Sequence, residues 1–430
     1  MPLTLMTPIA LLALLLGAGV WVGLGLMGVG IGSLELFRNL PVDKILAQTV
    51  WNGLSSPELV ALPLFILMAE LLFRSRFVGA LFHALEPWVL NLKGGLLHTN
   101  VLGCALFALI SGSSAATTSS VGKITLGELH QRGYPKGIAM GSLAGSGTLG
   151  FLIPPSVVMI IYGVLSQTSV LKLFAAGLIP GLLLAVLFMG YLAVYAWLRP
   201  FEVTATTFET GLWRERFRRI RTLVPFGLLM VTMLGSMYAG YASPSEAAAL
   251  AVILTLGIMA VERSLSFKAV LDACIGTART VSMLGLIIAA ASFLATAMGY
   301  LGLPQQISQH INALALSPFQ LILLLMLIYI ILGCFLEGMS LIVMTLPIVL
   351  PLITAAGYDK VWFGVFLIIV VEMAQITPPV GMNLFVIRGL TNEPLSAIVK
   401  AAFPFFMIMF AFVLFLALAP GVVLWLPSHL

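Results

Sequence analysis

The chain has 430 residues, of which 60% are hydrophobic and only 9% are charged, and its formal net charge is +5. This composition leaves too little polar surface to cover a soluble globule of this size. The basic residues occur in short breaks between apolar runs, without interleaved aromatic residues or a nucleic-acid motif, so a nucleic-acid partner is not expected. The solvent of this chain is lipid.

The three cysteines, Cys104, Cys274 and Cys334, are isolated from one another and lie in or beside apolar runs. They form no CxxC pair, so they are interpreted as small core residues, with neither a disulfide framework nor a metal site. Residues 1–10 contain no Lys or Arg, unlike the charged start of a cleaved signal peptide, so the first apolar run is expected to stay in the protein.

Apolar runs recur along the whole chain, and a helix needs about 20 apolar residues to cross a hydrocarbon core of about 30 Å. The sequence therefore predicts an all-α polytopic membrane protein. Two further apolar segments, 97–122 and 319–352, are interpreted as re-entrant helical hairpins that enter and leave on the same side. Ten transmembrane spans are predicted at about 3–18, 19–36, 55–73, 138–166, 170–198, 222–241, 243–262, 280–300, 361–388 and 402–426.

A hydrophilic linker at 200–221 divides the chain, and five of its residues are arginines, at positions 214, 216, 218, 219 and 221. Placing this linker in the cytoplasm puts 17 of the 21 Lys and Arg residues on the cytoplasmic side and only Arg38, Lys44, Lys172 and Lys360 outside. The positive-inside rule favours this topology. Each half then crosses the membrane five times, so the second half is inverted relative to the first and both termini lie outside.

The two halves, 1–199 and 222–430, carry similar breaks at a constant spacing. Pro154-Pro155 and Pro378-Pro379 are 224 residues apart (378 − 154), and Ser113 falls on Glu337 at the same offset (337 − 113). Corresponding breaks of this kind indicate an internal duplication, and an inverted repeat is typical of transporters. Each half is predicted to contain scaffold helices, one hairpin and one broken helix, at about 138–166 and 361–388.

The hairpin tips and the Pro-Pro breaks interrupt helical hydrogen bonds at membrane depth, where no water replaces them. Freed carbonyl and hydroxyl oxygens suit an alkali cation, of which sodium is the natural candidate, and half-helix N-termini can hold a carboxylate. One cation site in each half, with an anionic substrate between them, is an economical interpretation. The alternative is ordinary helix packing through Gly and Ser; the 41-residue spacing of tip and break in both halves (154 − 113 and 378 − 337) argues against it.

Glu337 is the ionisable group of most interest, because a carboxylate near a hairpin tip is costly unless it faces water, pairs or binds a cation. Binding a cation and being a satisfied or solvent-facing acid remain equal alternatives for it. Glu70, Glu246 and Glu372 lie at or near span ends or breaks and are interpreted as structural.

The five histidines lack metal-ligand spacing, and Ser113 lacks a G-x-S-x-G elbow. No catalytic or cofactor-binding residue is therefore expected, and the protein is predicted not to be an enzyme.

At these residues the sequence resembles the large membrane subunit of the tripartite ATP-independent periplasmic (TRAP) transporters, of the dicarboxylate and sialic-acid type. The resemblance covers essentially the whole chain and depends on an ordered set of motifs. These are ALPLFILMAEL at 61–71, ISGSS at 110–114, RGY at 132–134, IPPS at 153–156 with IIYG at 160–163, SPSEAAA at 243–249 and TPPVGMNLF at 377–385.

The resemblance implies an elevator mechanism, in which a transport domain holding the two hairpins slides against a scaffold, with Na⁺ as the coupling ion and no other cofactor. It also implies a small four-helix membrane subunit and a periplasmic substrate-binding protein as partners. The expected function is sodium-driven uptake of a small organic acid, such as a C4-dicarboxylate or sialic acid, across the bacterial inner membrane. The alternatives are a self-sufficient sodium/carboxylate symporter of related fold and a membrane-embedded enzyme.

Carried onto this sequence, the resemblance implies two sodium sites. The first would involve Ser111, Gly112, Ser113, Ser114, Gly147, Thr148 and Pro154, and the second Glu337, Gly338, Ser340, Thr377, Pro378, Gly381 and Asn383. The sequence departs from many relatives at Gly338-Met-Ser340, where a Thr- or Ala-rich run is usual, and at Ala115-Ala-Thr-Thr-Ser-Ser120, where acidic and alanine-rich positions are usual.

Overall fold

The computed structural model describes residues 3–75, 77–201, 212–303, 305–306 and 316–430, and all regular secondary structure in these residues is helical. The all-α prediction is therefore confirmed. Ten residues of the predicted linker, 202–211, lie outside the described part of the chain, as do Arg76 and His310.

The described residues up to 198 form eleven α-helices, and a 3₁₀ turn at Pro57–Val60 separates the third from the fourth. They are α1 (Leu3–Gly17), α2 (Val22–Phe37), α3 (Val42–Leu54), α4 (Ala61–Phe73), α5 (Phe77–Val89), α6 (Leu97–Ser111), α7 (Ser114–Gln131), α8 (Lys136–Gly147), α9 (Leu149–Leu152), α10 (Val157–Ser166) and α11 (Val170–Leu198).

The described residues of the second half add nine α-helices and a final 3₁₀ turn. The helices are α12 (Leu212–Tyr238), α13 (Pro244–Val261), α14 (Phe267–Tyr300), α15 (Pro318–Gly333), α16 (Gly338–Ala355), α17 (Lys360–Gln375), α18 (Met382–Thr391), α19 (Leu395–Leu418) and α20 (Gly421–Leu424), and the 3₁₀ turn is Pro427–His429.

Six of the described helices are long and apolar enough to cross a membrane: α11, α12, α13, α14, α16 and α19. The number rises to eight if the bent pairs α3 with α4 and α8 to α10 each form one span. The protein is thus a multi-pass membrane protein. The count differs from the ten predicted spans because α1 and α2 are short and the predicted span 361–388 is divided into α17 and α18. It also includes α16, which was predicted as one arm of a hairpin.

Helix ends recur at the 224-residue spacing of the two Pro-Pro breaks. Helix α7 begins at Ser114 and α16 at Gly338 (338 − 114 = 224). Both helices also end against a glycine with positive φ, Gly133 at 84° and Gly357 at 83°. A side chain is strained in this left-handed conformation, so glycine is favoured at both ends.

Helix α17 lies at the centre of the protein, where it packs against α9, α11, α15, α16 and α19. Every residue from Val361 to Gln375 is buried. By contrast, large apolar side chains on α12, α13 and α19, such as Val231, Ile253 and Phe403, are exposed, as expected of surfaces in contact with lipid. Elements from both halves therefore surround one buried helix.

An ionic cluster joins α5, the end of α7 and the start of α12. Glu86 on α5 is only 6% exposed, and its two carboxylate oxygens lie 2.8 Å from Arg132 Nη1 and 2.9 Å from Arg219 Nη1. Burial alone would lower the pKa of Arg132, but the neighbouring carboxylates of Glu86 and Glu128 raise it above its ordinary value. Arg132 therefore stays charged and fastens the second arm of the first hairpin to α5.

We expect Glu86→Gln to lower the free energy of unfolding by about 1–3 kcal/mol, because the change leaves two half-buried guanidinium groups without their shared carboxylate. Thermal melting in detergent measures the effect. The matched control is Glu128→Gln, which removes the more exposed partner of Arg132 and should cost less than about 1 kcal/mol. Equal effects of the two changes would contradict a special role for Glu86.

Candidate functional site

The tip of the first hairpin is a two-residue turn between α6 and α7. Gly112 ends α6 with φ at 53°, and a Cβ at this position would lie 3.1 Å from the backbone nitrogen of Val157. Ser113 then caps α7, with its hydroxyl accepting from the backbone N–H of Ala116 at 3.4 Å. A small residue is required at Gly112 because the tip touches the start of α10, beyond the first Pro-Pro break.

The first broken helix passes from α8 through α9 to Pro154-Pro155 and resumes at α10, with a bend of 42° across the break. The Pro154-Pro155 peptide bond is cis. Residues 151–156 are buried, so the backbone groups freed by the two prolines lie inside the protein. Ser156 caps α10 by accepting from the Met159 backbone N–H at 3.4 Å.

The Ser114 hydroxyl connects three elements at the base of this tip. Its oxygen lies 3.1 Å from the Gly147 carbonyl oxygen at the end of α8. It also lies 2.7 Å from Glu372 Oε2 on α17 and accepts from Asn383 Nδ2 on α18 at 2.7 Å. A single hydroxyl at the first hairpin thus binds two residues of the second half.

Five buried polar atoms on α7, α8, α17 and α18 make no hydrogen bond within the described structure, namely Thr118 Oγ1, Ser146 Oγ, Glu372 Oε1, Gln375 Nε2 and Asn383 Oδ1. All five residues are less than 5% exposed. A Cβ on Gly147 would lie 1.9 Å from Thr118 Oγ1 and 3.5 Å from Asn383 Nδ2, so the glycine leaves room for these polar groups. Hydroxyl, carbonyl and carboxylate oxygens are hard metal ligands, and the site therefore fits a dehydrated alkali cation.

The second tip and break are more open than the first. Glu337 is exposed and caps α16, accepting from the Ser340 backbone N–H at 3.0 Å. The backbone N–H of Val380 donates to the Cys334 carbonyl at 3.2 Å, which joins the second break to the second tip. Thr377 is half-buried, and its hydroxyl donates to the Met373 carbonyl at 2.7 Å. The Pro378-Pro379 bond is also cis, and both prolines are exposed.

Backbone geometry requires glycine at two positions of the second half. Gly381 begins the helix after the break with φ at 47°, and a Cβ there would lie 2.8 Å from the Thr377 carbonyl oxygen. A Cβ on Gly338 would lie 2.8 Å from Val371 Cγ1 and 3.1 Å from Phe151 Cε2. The start of α16 therefore packs directly on α17 and on α9 of the first half.

The predicted first-site residues lie at the first tip and the first broken helix. Asn383, predicted for the second site, lies beside them. Ser111 hydrogen-bonds through its hydroxyl to Thr117 Oγ1 at 2.6 Å, and Thr148 donates to the Gly145 carbonyl at 2.5 Å. Asn383, which sequence reasoning grouped with Glu337, contacts Ser114 instead. The remaining second-site residues, Glu337, Gly338, Ser340, Thr377, Pro378 and Gly381, lie at the second tip and break.

The interpretation of Glu372 as a structural acid near a break did not anticipate its contact with the first hairpin at Ser114. Glu372 is 0% exposed and lies at the junction of the two halves. The signal was present in the sequence: Glu372 is the only charged residue between Val361 and Gln375, and an ionisable group inside an apolar span is a functional-site candidate.

A large cavity of about 890 Å³ lies elsewhere in the protein. It lies between α3 and α14 on one side and the ends of α10 and α16 on the other. Amide and hydroxyl groups line it, including those of Gln48, Asn52 and Thr296, together with the carboxyl group of Glu58. No Lys or Arg is among the lining residues in the described part of the chain.

We expect Gly147→Ala to destabilise the protein by about 1–3 kcal/mol, because the added Cβ would overlap Thr118 Oγ1 and force the site apart. Thermal melting in detergent measures the change. The control is Gly127→Ala on α7, where a Cβ has no neighbour within 4 Å, and helix propensity predicts a gain of about 1 kcal/mol. Combining Gly147→Ala with Thr118→Ala should restore part of the loss; no restoration would contradict the assigned overlap.

Comparison with known proteins gives independent information about the family of this chain. A family profile described as "Tripartite ATP-independent periplasmic transporter, DctM component" matches residues 9–422. The C4-dicarboxylate TRAP transporter large permease protein of Pseudomonas aeruginosa is 35% identical over 86% of each chain. The sialic acid TRAP transporter large permease protein of Vibrio cholerae is 28% identical over 96% of each chain.

Among solved structures, the fold is similar to that of the YdaH transporter of Alcanivorax borkumensis. The TM-score is 0.64, and the match covers 98% of this chain and 99% of that one at 12% sequence identity. At this identity the likeness concerns the fold alone.

Proposed function

The chain belongs to the DctM-component family of tripartite ATP-independent periplasmic transporters, and from this premise we propose that it imports a small organic acid by sodium-driven secondary transport. The resemblance identified from the sequence motifs is thereby confirmed. The curated relatives are large permease subunits, so the protein is a transporter permease and not an enzyme. Sodium coupling, the substrate class and the mode of movement are parts of the proposal.

The observation that carries the proposal is the meeting of the first hairpin, both broken helices and a set of buried oxygens around Ser114. A sodium ion would supply a positive charge at this junction. The Gly147 carbonyl and the Ser114 hydroxyl are positioned as ligands, and Ser111, Gly112, Ser113, Thr148 and Pro154 shape the pocket. A second ion would be held at the second tip and break, among Glu337, Gly338, Ser340, Thr377, Pro378 and Gly381.

The substrate is proposed to bind between the two tips as a carboxylate. Helices α7 and α16 both begin at a tip, and the first turn of a helix presents free N–H groups and a positive dipole end. The relatives named for C4-dicarboxylate and sialic acid support this class. Neither tip places a described Lys or Arg in a hydrogen bond at the site, so backbone groups would carry much of the recognition.

We propose that the two hairpins and broken helices form a transport domain that slides against a scaffold containing α3, α13 and α14. Part of the boundary between these groups is open, because the cavity lies between α3 and α14 on one side and α10 and α16 on the other. Helices α14 and α16 are in contact elsewhere along it. The proposal includes a 5+5 inverted repeat in the bacterial inner membrane with both termini in the periplasm, supported by the distribution of Lys and Arg.

Two partners complete the proposal. A family described as tripartite, whose relatives are named large permease proteins, calls for a smaller membrane subunit, proposed here to have four helices, and a periplasmic substrate-binding protein. The competing function is a self-sufficient sodium/carboxylate symporter. The likeness to the YdaH transporter concerns the fold alone, so reconstitution decides between the two functions.

Reconstitution in liposomes tests these functions. The chain is combined with the small membrane subunit and the binding protein encoded beside it, and uptake of labelled organic acids is measured with and without a sodium gradient. Uptake that needs both the gradient and the binding protein supports the proposal. Uptake indifferent to sodium overturns the coupling, and full uptake without the binding protein favours the self-sufficient symporter.

We expect Ser114→Ala to lower sodium-driven uptake about 10- to 100-fold, because it removes a hydroxyl bonded to a buried carboxylate, and such a bond contributes about 1.5–3 kcal/mol. The measurement is the initial uptake rate at equal amounts of reconstituted protein. Ser236→Ala is the matched control: its hydroxyl donates to the Met233 carbonyl within α12 at 2.9 Å, and uptake should stay unchanged. Equal rates for both variants would contradict the assignment of Ser114.

A further inference from the structure

Glu372 is a carboxyl group buried at the centre of the protein. It is 0% exposed, and its Oε2 accepts from the Ser114 hydroxyl at 2.7 Å. The Phe151 backbone also interacts with this carboxyl group. Within the described residues, no Lys, Arg or His lies near enough to form an ion pair with it. The carboxyl group thus has hydrogen-bond donors but no partner of opposite charge.

An ionised carboxylate in this position is costly, since desolvation of an ion in a protein interior costs several kcal/mol unless a charge of opposite sign compensates. Two states avoid this cost. The acid is protonated and serves as a structural hydrogen-bonding group, or a cation lies beside it. The polar atoms around it distinguish these states.

Buried oxygens without a hydrogen bond lie on residues that meet at Ser114 and Gly147. Thr118 and Asn383 are both fully buried, and Thr118 Oγ1, Asn383 Oδ1 and Glu372 Oε1 make no hydrogen bond. The Ser114 hydroxyl connects Glu372 and Asn383 to the Gly147 carbonyl. A protonated carboxyl group offers a single O–H to the oxygens near it, whereas a cation is coordinated by several oxygens at once.

We propose that Glu372 is the charged ligand of the cation site at the first hairpin, with Thr118 and Asn383 supplying neutral oxygens. This inference rests on the proposed sodium coupling and goes beyond it. The site is then built by both halves: α7 and α8 come from the first half, and α17 and α18 from the second. The Glu372 carboxylate then neutralises the charge of the bound cation inside the protein. The cation also links the first hairpin to the central helix α17.

The test measures melting temperature as a function of sodium concentration. The full chain with its small membrane subunit is held in detergent, with choline chloride replacing sodium chloride at constant ionic strength. The wild-type protein should become more stable as sodium rises. Glu372→Gln, which keeps the shape of the side chain and removes its charge, should raise the sodium concentration for half-maximal stabilisation at least tenfold or abolish the response.

The matched control is Glu246→Gln, the same chemical change at an exposed residue that starts α13. This change weakens a helix cap and can lower the melting temperature, but the sodium midpoint should not move. A shift of the midpoint in Glu372→Gln alone therefore reports on the site and not on general stability.

A second variant covers the case in which Glu372→Gln does not fold. Thr118→Val removes one unpartnered oxygen and keeps the volume of the side chain. It should leave the protein folded without sodium and raise the sodium midpoint severalfold. Thr125→Val is its control on the same helix, because the Thr125 hydroxyl is buried but donates to the Val121 carbonyl at 3.0 Å.

The outcomes separate this inference from the proposed function. An unchanged sodium midpoint in Glu372→Gln, or in Thr118→Val where the first variant does not fold, overturns the inference and leaves sodium coupling intact. A wild-type protein that shows no sodium response overturns the inference together with the coupling, while the membership of the transporter family stands.

Discussion

A backbone group that loses its helical partner inside a membrane protein has no water to replace it, and this constraint governs the centre of the molecule. The first hairpin and the first Pro-Pro break solve it together. The tip at Gly112 packs on the backbone at the start of α10, and the Ser114 hydroxyl approaches the Gly147 carbonyl where α8 ends. Buried backbone groups at the breaks need polar partners, and the polar side chains in the interior are placed where they can supply them.

The two breaks have the same sequence pattern but different surroundings. The first is enclosed by α9, α11 and α17, whereas the prolines of the second are exposed. This difference follows from the neighbours. Residues 151–156 lie beside the central helix α17, and the second break contacts its own hairpin tip through Val380 and Cys334. The first break is therefore shielded from solvent, while the second is accessible to it.

The ionic cluster at Glu86 links this interior to the rest of the protein. Arg132 lies just beyond α7, the hairpin arm whose first residue is Ser114, and Arg219 lies on α12. Arg216 on the same helix also stacks near Trp88, at 5.4 Å from its ring centroid. The start of α12, which follows the linker, is thereby held to α5, and a displacement of the hairpin relative to α12 must rearrange these ion pairs.

The sequence by itself determined the class of the protein. Its apolar runs require a lipid environment, and its ordered motifs identify the family. The turn residues and the Pro-Pro pairs, which recur at one spacing in both halves, indicate where the helices are interrupted. These features are local, since hydropathy, proline and glycine act within a few neighbouring residues.

Only the tertiary structure decided which polar residues share a site. Ser114 meets Glu372 and Asn383 across separations of 258 and 269 residues. No local pattern encodes such a contact, because it depends on how α17 and α18 pack against the first hairpin. The family resemblance therefore grouped Asn383 with Glu337, which lies nearer to it along the chain, and Glu372 was interpreted as a structural acid. The role proposed for Glu372 as a cation ligand depends on its burial near unpaired oxygens, and burial is a property of the folded protein alone.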